Sequence, residues 1–301
     1  MTVTEDPFVA HRSLLFTVAY EMLGSAADAE DVVQETWLRW AAVDGATRDR
    51  VRDPRAYLVR IVTRLALNRL RTVARRREEY VGSWLPEPLL TSPDVAEDIE
   101  LAESVSIAML TVLETLTPAE RAVFVLREVF ETPYEEIADA LGKSPAAVRQ
   151  IARRARDRVA GRRPRTRVDR AQRDRAVERF LAAVATGDLQ ALLEVLAPDV
   201  VVVADGGGVA QAVRRPVAGA KKVAHLFRAG LKRAGAGLTV RPIWLNGAPA
   251  ARIDVAGEPV AAVSLAVEDG RITRIYLMRN PGKMTGLASE ARLARSPGGG
   301  G

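Results

Sequence analysis

Apolar side chains in the first 77 residues recur every three or four positions, a spacing that predicts three helices. The first helix is predicted over residues 8–23 and stops at Gly24, a residue type common just after a helix. Ser25 is the predicted N-cap of the second, with Asp28 as the acidic partner of a capping box. The apolar stripe of the second helix is Val33, Trp37 and Trp40. This pattern predicts a small helical bundle.

The third predicted helix opens at Asp53-Pro54, with proline at its first position. Its buried side consists of Leu58, Ile61, Val62 and Leu65. Its opposite face carries Arg60, Arg64, Asn68, Arg71 and Arg75. An asparagine within an arginine stripe favours contact with bases, because its amide both donates and accepts hydrogen bonds. A merely solvated basic helix is the alternative at this point.

Residues 105–160 pair a capping residue with a first-turn proline three times, at Thr117-Pro118, Thr132-Pro133 and Ser144-Pro145. Glu120 and Glu135 stand at the capping-box position of the first two. The last two predicted helices cover residues 133–141 and 145–159 and are separated by a glycine-containing turn. A short helix, such a turn and a second helix indicate a helix-turn-helix.

The outward face of the second of these helices is basic and amide-bearing. It comprises Arg149, Gln150, Arg153, Arg154 and Arg156, with Ser144 at its start. Arginine and glutamine make bidentate contacts to base edges, and the arginines also neutralise phosphates. The alternative is an ordinary helical hairpin with a basic face.

After a basic hinge at residues 162–170 the periodicity changes. Helices are predicted over residues 175–185, 188–196 and 219–234, and strands over residues 200–204, 238–245, 250–255, 259–268 and 271–278. Helices followed by an antiparallel sheet are typical of an α+β domain. The glycine-rich end, residues 288–301, is expected to be disordered.

The net charge of +6 is unevenly distributed along the 301 residues. Residues 1–77 carry +3, residues 78–120 carry −10 with no basic side chain, residues 121–170 carry +6, and residues 171–301 carry +7. Basic modules favour an anionic partner, whereas the acidic connector suits a basic surface or a channel that nucleic acid otherwise occupies. Its apolar WLPEPL segment, residues 84–89, needs a cover.

Several classes of protein are excluded or disfavoured by what the sequence lacks. Without cysteine there is no disulfide framework or thiolate metal site, and two histidines are too few for a multi-histidine site. No apolar run approaches the ~18 residues of a membrane helix, and the acidic N-terminus does not resemble a signal peptide. We therefore expect a cytoplasmic protein without metal or cofactor.

The first 160 residues resemble the extracytoplasmic-function (ECF) sigma factors of bacterial RNA polymerase. Residues 19–40 and 55–71 resemble region 2, and residues 116–159 resemble region 4. The resemblance implies two all-α modules that bind core polymerase and promoter DNA. It assigns core binding to Asp28, Asp31, Val32, Gln34, Glu35 and Trp37. It assigns the −10 element to the arginine and asparagine stripe of the third helix, and the −35 element to the basic face of the helix-turn-helix.

Residues 171–285 resemble SnoaL-like (NTF2-like) domains, which are α+β cones. In the sigma-factor subgroup that carries such a domain, the resemblance implies regulation by contacts within the chain. The marker segments are Trp84, Leu85, Pro86, Glu87, Pro88 and Leu89, then Asp205, Gly206, Gly207 and Gly208, then Asn280, Pro281 and Lys283. We expect the first segment to lie against the C-terminal domain near the other two.

The resulting organisation is region 2 over residues 1–80, an acidic linker over 81–104, region 4 over 105–165 and the SnoaL-like domain over 171–287. Two other functions stay open at this point. A helix-turn-helix regulator independent of polymerase explains residues 116–159 but not the acidic second helix. A pocket enzyme tethered to DNA would need a catalytic carboxylate such as Asp205 or Asp254, neither of which has a histidine or a paired carboxylate nearby in sequence. The C-terminal domain, residues 171–287, could also serve only to stabilise the chain.

Overall fold

The computed structural model describes residues 6–162, 169–210 and 212–295, with the side chains of 74–78 and 236 left out. The N-terminal helices are α1 (Pro7–Leu23), α2 (Ala26–Ala41), the short α3 (Gly45–Arg48) and α4 (Pro54–Glu78). Only α3 was not predicted. Ser25 caps α2 as predicted, by accepting from the Asp28 N–H. The prediction of a capping box between Ser25 and Asp28 was wrong, because the Asp28 carboxylate pairs with Arg69 instead.

After α4 the chain runs without regular helix until a 3-10 turn at Pro93–Ala96, and then forms α5 (Ile99–Ser104). The next helices are α6 (Ile107–Leu113), α7 (Pro118–Phe124), α8 (Tyr134–Leu141) and α9 (Pro145–Ala160), with a π-helical turn at Val125–Val129. Thr117 forms the predicted capping box and Ser144 the predicted N-cap. The prediction that Thr132 is the N-cap residue of α8 was wrong. Pro133 is itself the N-cap residue, and no side chain caps this helix.

The described residues of the C-terminal domain form three α-helices and one six-stranded sheet. Its elements are α10 (Arg170–Thr186), α11 (Leu189–Val195), β1 (Leu196–Asp205), β2 (Val217–Ala218), α12 (Ala220–Ala234), β3 (Leu238–Leu245), β4 (Ala248–Val255), β5 (Glu258–Glu268) and β6 (Arg271–Met278). The strand order is β2-β1-β6-β5-β4-β3. The sheet is mixed, not antiparallel as predicted, because β1 pairs in parallel with β6, whereas the other pairs are antiparallel.

Within the described residues, buried apolar side chains form three cores. The first runs through α1, α2, α4, α7, α8 and α9, so the two N-terminal helical modules share one core. The second lies inside the C-terminal domain. The third joins the linker to the sheet through Leu85, Ile107, Leu245 and Tyr276, all at most 3% exposed. Burying such side chains stabilises by roughly 2 kcal/mol each, which ties all three modules into a closed arrangement.

The expectation of disorder over residues 288–301 was wrong for residues 288–295. The Ala291 N–H donates to the Leu90 carbonyl at 2.8 Å, and the Ala294 N–H donates to Thr17 Oγ1 at 3.0 Å. We call residues 288–295 the C-terminal strap. Residues 296–301 lie outside the described residues. Within the described part of the chain, no helix is long and apolar enough to cross a membrane.

Candidate nucleic-acid interface and interdomain latch

Helix α9 presents the predicted basic face to solvent. Arg149, Gln150, Arg153, Arg154 and Arg156 are exposed, while Val148, Ile151, Ala152, Ala155 and Val159 are buried on the opposite side. Ser144 fixes the start of the helix by accepting from the Ala147 N–H at 3.2 Å. Glu135 lies 3.2 Å from Arg149, but an exposed pair of this kind contributes little. The guanidinium groups can therefore exchange such partners for phosphates.

Helix α4 presents its predicted stripe in two parts. Arg60 and Arg64 contact α8: Arg60 pairs with Asp139 at 2.7 Å, and Arg64 donates to the carbonyl oxygens of Asp139 and Ala140 at 2.8 and 3.1 Å. The hydrogen bond from Arg60 lowers the pKa of Asp139. Arg60 and Arg64 are therefore paired with the helix-turn-helix module, although Arg64 stays exposed.

The other half of the stripe faces solvent. Asn68 and Arg71 are exposed, and the Arg71 guanidinium donates to Asn68 Oδ1 at 3.3 Å. The side chain of Arg75 lies outside the described residues. The exposed amide of Asn68 and the neighbouring guanidinium could contact a base and a phosphate at the same time.

The outer face of α2 is exposed and acidic. Arg69 from α4 holds Asp28 and Asp31 at 2.6 and 3.1 Å, which fixes both carboxylates along one side of the helix. Gln34, Glu35 and Trp37 are exposed. Val32, however, is only 4% exposed and packs in the core beneath this face, so it positions the helix and offers no surface of its own.

Asp205, at the end of β1, is fully buried and joins the linker to the C-terminal domain. One carboxylate oxygen accepts from the Lys283 ammonium at 2.8 Å and from the Leu85 N–H at 2.9 Å. The other accepts from the Tyr80 hydroxyl at 2.5 Å and from the Gly207 N–H at 3.0 Å. Four donors compensate the cost of burying this charge.

Lys283 is the cation of this cluster and is only 5% exposed. Its ammonium lies 3.1 Å from the centroid of the Trp84 ring and donates to the Leu85 carbonyl at 2.6 Å. The Tyr80 ring packs edge-on against Trp84 at 4.7 Å. Burial and the hydrogen bond to Asp205 raise the pKa of Tyr80, so its hydroxyl remains a donor. We call Tyr80, Trp84, Asp205, Asn280 and Lys283 the latch.

The three glycines after Asp205 let the latch close. Gly207 has φ +62°, and a Cβ there would lie 2.4 Å from Asn280 Nδ2, the atom that donates to the Tyr80 hydroxyl at 2.7 Å. A Cβ on Gly208 would lie 3.2 Å from the Cβ of Val81, and one on Gly206 would lie 2.5 Å from the carbonyl oxygen of Ala210. These glycines therefore allow a close approach between chain segments.

The linker also contacts the N-terminal bundle, through Glu87 between Pro86 and Pro88. The Glu87 carboxylate accepts from Ser25 Oγ at 2.9 Å and from the Ala26 N–H at 2.7 Å, while its carbonyl accepts from the Tyr20 hydroxyl at 2.6 Å. Glu87 thus supplies the acid at the start of α2 that was predicted to be Asp28. A carboxylate is favourable there, because the first turn of a helix has unpaired N–H groups.

Asn246, in the turn between β3 and β4, contacts all three modules. Its backbone N–H donates to the Leu89 carbonyl at 3.0 Å, and its side-chain oxygen accepts from the Leu89 N–H at 3.0 Å. Its amide nitrogen donates to the Tyr20 hydroxyl at 2.7 Å and to the Val105 carbonyl at 2.8 Å. One side chain, 1% exposed, therefore fixes region 2, the linker and the start of region 4 to the sheet.

Sequence reasoning missed Tyr20, Tyr80 and Asn246. The Asn246-Gly247 dipeptide is a strong hairpin signal between the third and fourth strands, and could have located the turn. Nothing in sequence indicates that the turn is buried against distant helices. The two tyrosines gave no local signal, because their partners lie 125 and 226 positions away.

Neither carboxylate considered for catalysis stands free. Asp205 belongs to the latch, and the fully buried Asp254 lies 2.9 Å from Arg252 and 3.0 Å from Arg241. Neither lines the apolar cavity of the C-terminal domain. Among the residues that the structure describes, no three histidine, cysteine or acidic side chains are grouped so as to hold a metal ion.

The fold and these surfaces together define a multidomain DNA-binding transcription factor, with an α+β domain fused behind two helical modules. Residues 8–77 match the family model of sigma-70 region 2, and residues 106–159 match that of sigma-70 region 4. The chain is 38% identical to the ECF RNA polymerase sigma factor SigJ of Mycobacterium tuberculosis, over 99% of this chain and 98% of that one. The chain therefore belongs to the ECF RNA polymerase sigma factors.

Two further similarities agree with this membership. The probable ECF RNA polymerase sigma factor SigI of the same species is 33% identical, over 93% of this chain and 94% of SigI. The crystal structure of SigJ superposes with a TM-score of 0.76, covering 93% of this chain and 97% of SigJ. The similarity extends across the C-terminal domain as well as the two sigma regions, so the fused arrangement is shared.

Proposed function

We propose that this chain starts promoter-specific transcription with core RNA polymerase in the cytoplasm, and that its own C-terminal domain restrains it in a closed state. The observation that carries the restraint is the latch, in which Lys283 and Asp205 hold Trp84 and Leu85 of the linker. Membership of the ECF sigma factors supports the first part of the proposal.

The exposed surfaces of region 2 and region 4 would have different binding partners. The acidic face of α2 would bind core polymerase, through Asp28, Asp31, Gln34, Glu35 and Trp37, with Val32 supporting it from below. Asn68 and Arg71, with Arg60 and Arg64 once released, would hold the −10 element, where an unstacked base needs a polar partner. The exposed face of α9 would enter the major groove of the −35 element.

The length of the linker explains why restraint follows from the latch. The −35 and −10 elements are about 25 base pairs apart, or about 85 Å along the duplex. In the closed state the two regions share one core, which places them side by side. Residues 79–105 span about 90 Å only when fully extended. We therefore expect the linker to leave the C-terminal domain when both elements are bound.

We also propose that the C-terminal domain acts by these contacts and not as an enzyme. Its buried carboxylates, Asp205 and Asp254, are each held by basic side chains, which supports a structural use. A general acid or base instead needs a pKa near the working pH and access to substrate.

The test is run-off transcription with core polymerase, using variants from both sides of the latch. Trp84→Ala removes the ring beneath Lys283 and leaves no charge unpaired. Lys283→Met removes the cation itself. Both variants should give at least threefold more promoter-specific transcript than the unmodified chain, because opening becomes easier.

The matched control is Lys222→Met, an exposed lysine of α12 outside the latch, which should leave transcription unchanged. Near-native circular dichroism identifies variants that are still folded. Folded Trp84→Ala and Lys283→Met proteins with unchanged or lower transcription would contradict the restraint. Absence of promoter-specific transcription in every variant, the full chain included, would contradict the sigma-factor activity itself.

A further inference from the structure

Glu120, in the first turn of α7, is a buried acidic residue beside α9, the second helix of the helix-turn-helix. One of its carboxylate oxygens accepts from the Thr117 N–H at 3.1 Å and from the Thr117 hydroxyl at 2.8 Å, which completes the capping box. These two bonds fix the direction of the carboxylate, and α7 packs directly against α9. A fixed negative charge therefore lies next to the helix whose outer face is basic.

Two arginines of α9 lie at this carboxylate. Arg158 donates to the oxygen that Thr117 also contacts, at 2.6 Å, and Arg154 lies 3.9 Å from the other oxygen. Residues four positions apart share one side of a helix, so both guanidinium groups lie on the side of α9 next to α7. Glu120 thus supplies one buried partner for two cations of this helix.

The other acidic partners of α9 are more exposed than Glu120. Glu135 lies 3.2 Å from Arg149, and its side chain is 66% exposed. Glu128 lies 3.4 Å from Arg156, and its side chain is 30% exposed. The side chain of Glu120 is only 6% exposed. Exposed pairs contribute little and exchange readily with water, whereas a buried carboxylate that loses its partner is left poorly solvated. The contact of Glu120 with α9 is therefore the more durable one.

We propose that Glu120 is a positioning residue for DNA recognition by α9, and that it increases specificity by keeping Arg158 and Arg154 away from phosphates. Arginines that pair with phosphates raise the affinity for every sequence. Discrimination between sequences comes instead from contacts to the edges of bases. The exposed residues of α9 that remain for the major groove are Arg149, Gln150 and Arg153. This inference rests on the proposed function, because it deepens the assignment of α9 to the −35 element.

Glu120→Gln tests the restraint on the arginines, since it removes the charge while glutamine can still serve in the capping box. Fluorescence anisotropy measures binding of the full chain, without polymerase, to a labelled 20-base-pair duplex of mixed sequence between 50 and 200 mM salt. The slope of log affinity against log salt should become steeper by about 1, because Arg158 gains about one phosphate contact. Affinity at 50 mM salt should rise about fivefold.

Specificity is measured with a second duplex of the same length, which carries the −35 element of the promoter used in run-off transcription. The ratio of the two affinities should fall at least threefold in Glu120→Gln. Arg158→Gln should leave the salt slope unchanged, because Glu120 already keeps this arginine from phosphates. A general effect of net charge would instead weaken the binding of Arg158→Gln to both duplexes.

The matched control is Glu128→Gln, which removes the same charge from a more exposed carboxylate beside α9. It should raise the affinity for both duplexes alike and leave their ratio unchanged. Circular dichroism identifies the variants that remain folded. An unchanged slope or ratio in folded Glu120→Gln, or an equal fall of the ratio in Glu128→Gln, would overturn the proposal. Failure of the proposed function in transcription would leave the salt slope unaffected, since that measurement uses neither polymerase nor a promoter.

Discussion

At the scale of single residues, the closed state depends on polar side chains that are buried where modules meet. Glu21 of α1 is fully buried, and its carboxylate accepts from Ser104 Oγ of α5 at 2.7 Å. Its carbonyl accepts from the Arg121 guanidinium at 3.0 Å, and Arg121 also pairs with Glu114 at 2.8 Å. Buried polar groups of this kind specify one arrangement of helices, because any other leaves them unpaired.

Glu21 makes the stability of this junction depend on pH. Burial raises its pKa to about 8, from 4.5 in the unfolded chain. The folded state therefore binds more protons between these values, and stability falls as the pH rises from about 5 to 8. Glu21→Gln keeps an acceptor for Ser104 without the charge. The variant should match the unmodified chain near pH 5 and unfold about 5 °C higher at pH 8.5.

Thermal unfolding followed by circular dichroism at pH 5, 7 and 8.5 checks this. Glu30→Gln, which neutralises a half-exposed carboxylate on α2, should change the midpoint by under about 1 °C at each pH. A Glu21→Gln midpoint that follows the unmodified chain across the pH range would show that Glu21 stays ionised in the folded protein.

At the scale of elements, local patterns located the longer helices and strands but neither the short α3, α5 and β2 nor how the elements meet. Helical spacing located α1, α2, α4 and α9 within a few residues, since capping residues and prolines mark their ends. The strands β3, β5 and β6 could be predicted equally well from the sequence, because each is bounded by turn residues. The parallel pairing of β1 with β6 could not be predicted, since it joins residues about 75 positions apart.

The candidate binding surfaces could likewise be predicted within one helix, but not where two helices meet. The exposed face of α9 could be predicted, because its periodicity separates buried from exposed positions within one helix. The contacts of Arg60 and Arg64 with α8 could not be predicted, since they join residues 75 to 79 positions apart and those of Arg64 are made to backbone carbonyls. Carbonyl groups carry no signal in the sequence that identifies their partner.

The contact between α4 and α8 gives the prediction at this scale. Asp139→Asn keeps the shape of the side chain but removes the negative charge opposite Arg60. The pair is partly exposed, so stability should change by less than about 1 kcal/mol. Affinity of the full chain for a 12-nucleotide single strand should rise two- to fourfold at low salt, because Arg60 becomes available to phosphate.

Fluorescence anisotropy with a labelled strand measures this affinity. Glu178→Gln makes the same change of charge on the exposed surface of α10, remote from α4, and serves as the control. An equal rise in both variants would mean that net charge, not the release of Arg60, is responsible.

At the scale of the whole molecule, the acidic linker is held from three sides. The latch holds its first part, Glu87 and Asn246 hold its middle, and the C-terminal strap holds its end. Arg295 of the strap donates to the Val129 carbonyl at 2.9 Å and contacts the carboxylates of Asp98 and Glu100. Part of the −10 charge of residues 78–120 thus meets a basic group of the C-terminal strap.

The strap supplies the prediction at this scale, because it crosses from the C-terminal domain back over both sigma regions. A chain that ends at Leu287 keeps the latch but loses the bonds to Thr17, Leu90 and Val129. Its closed state should be weaker, so its radius of gyration in X-ray scattering should exceed the ~19 Å of a compact chain of this length by several ångströms. Run-off transcription should rise in parallel.

A chain that ends at Arg295 retains every contact of the strap and should scatter and transcribe like the full chain. Identical scattering and transcription by the two truncated chains would show that the latch closes the molecule without the strap.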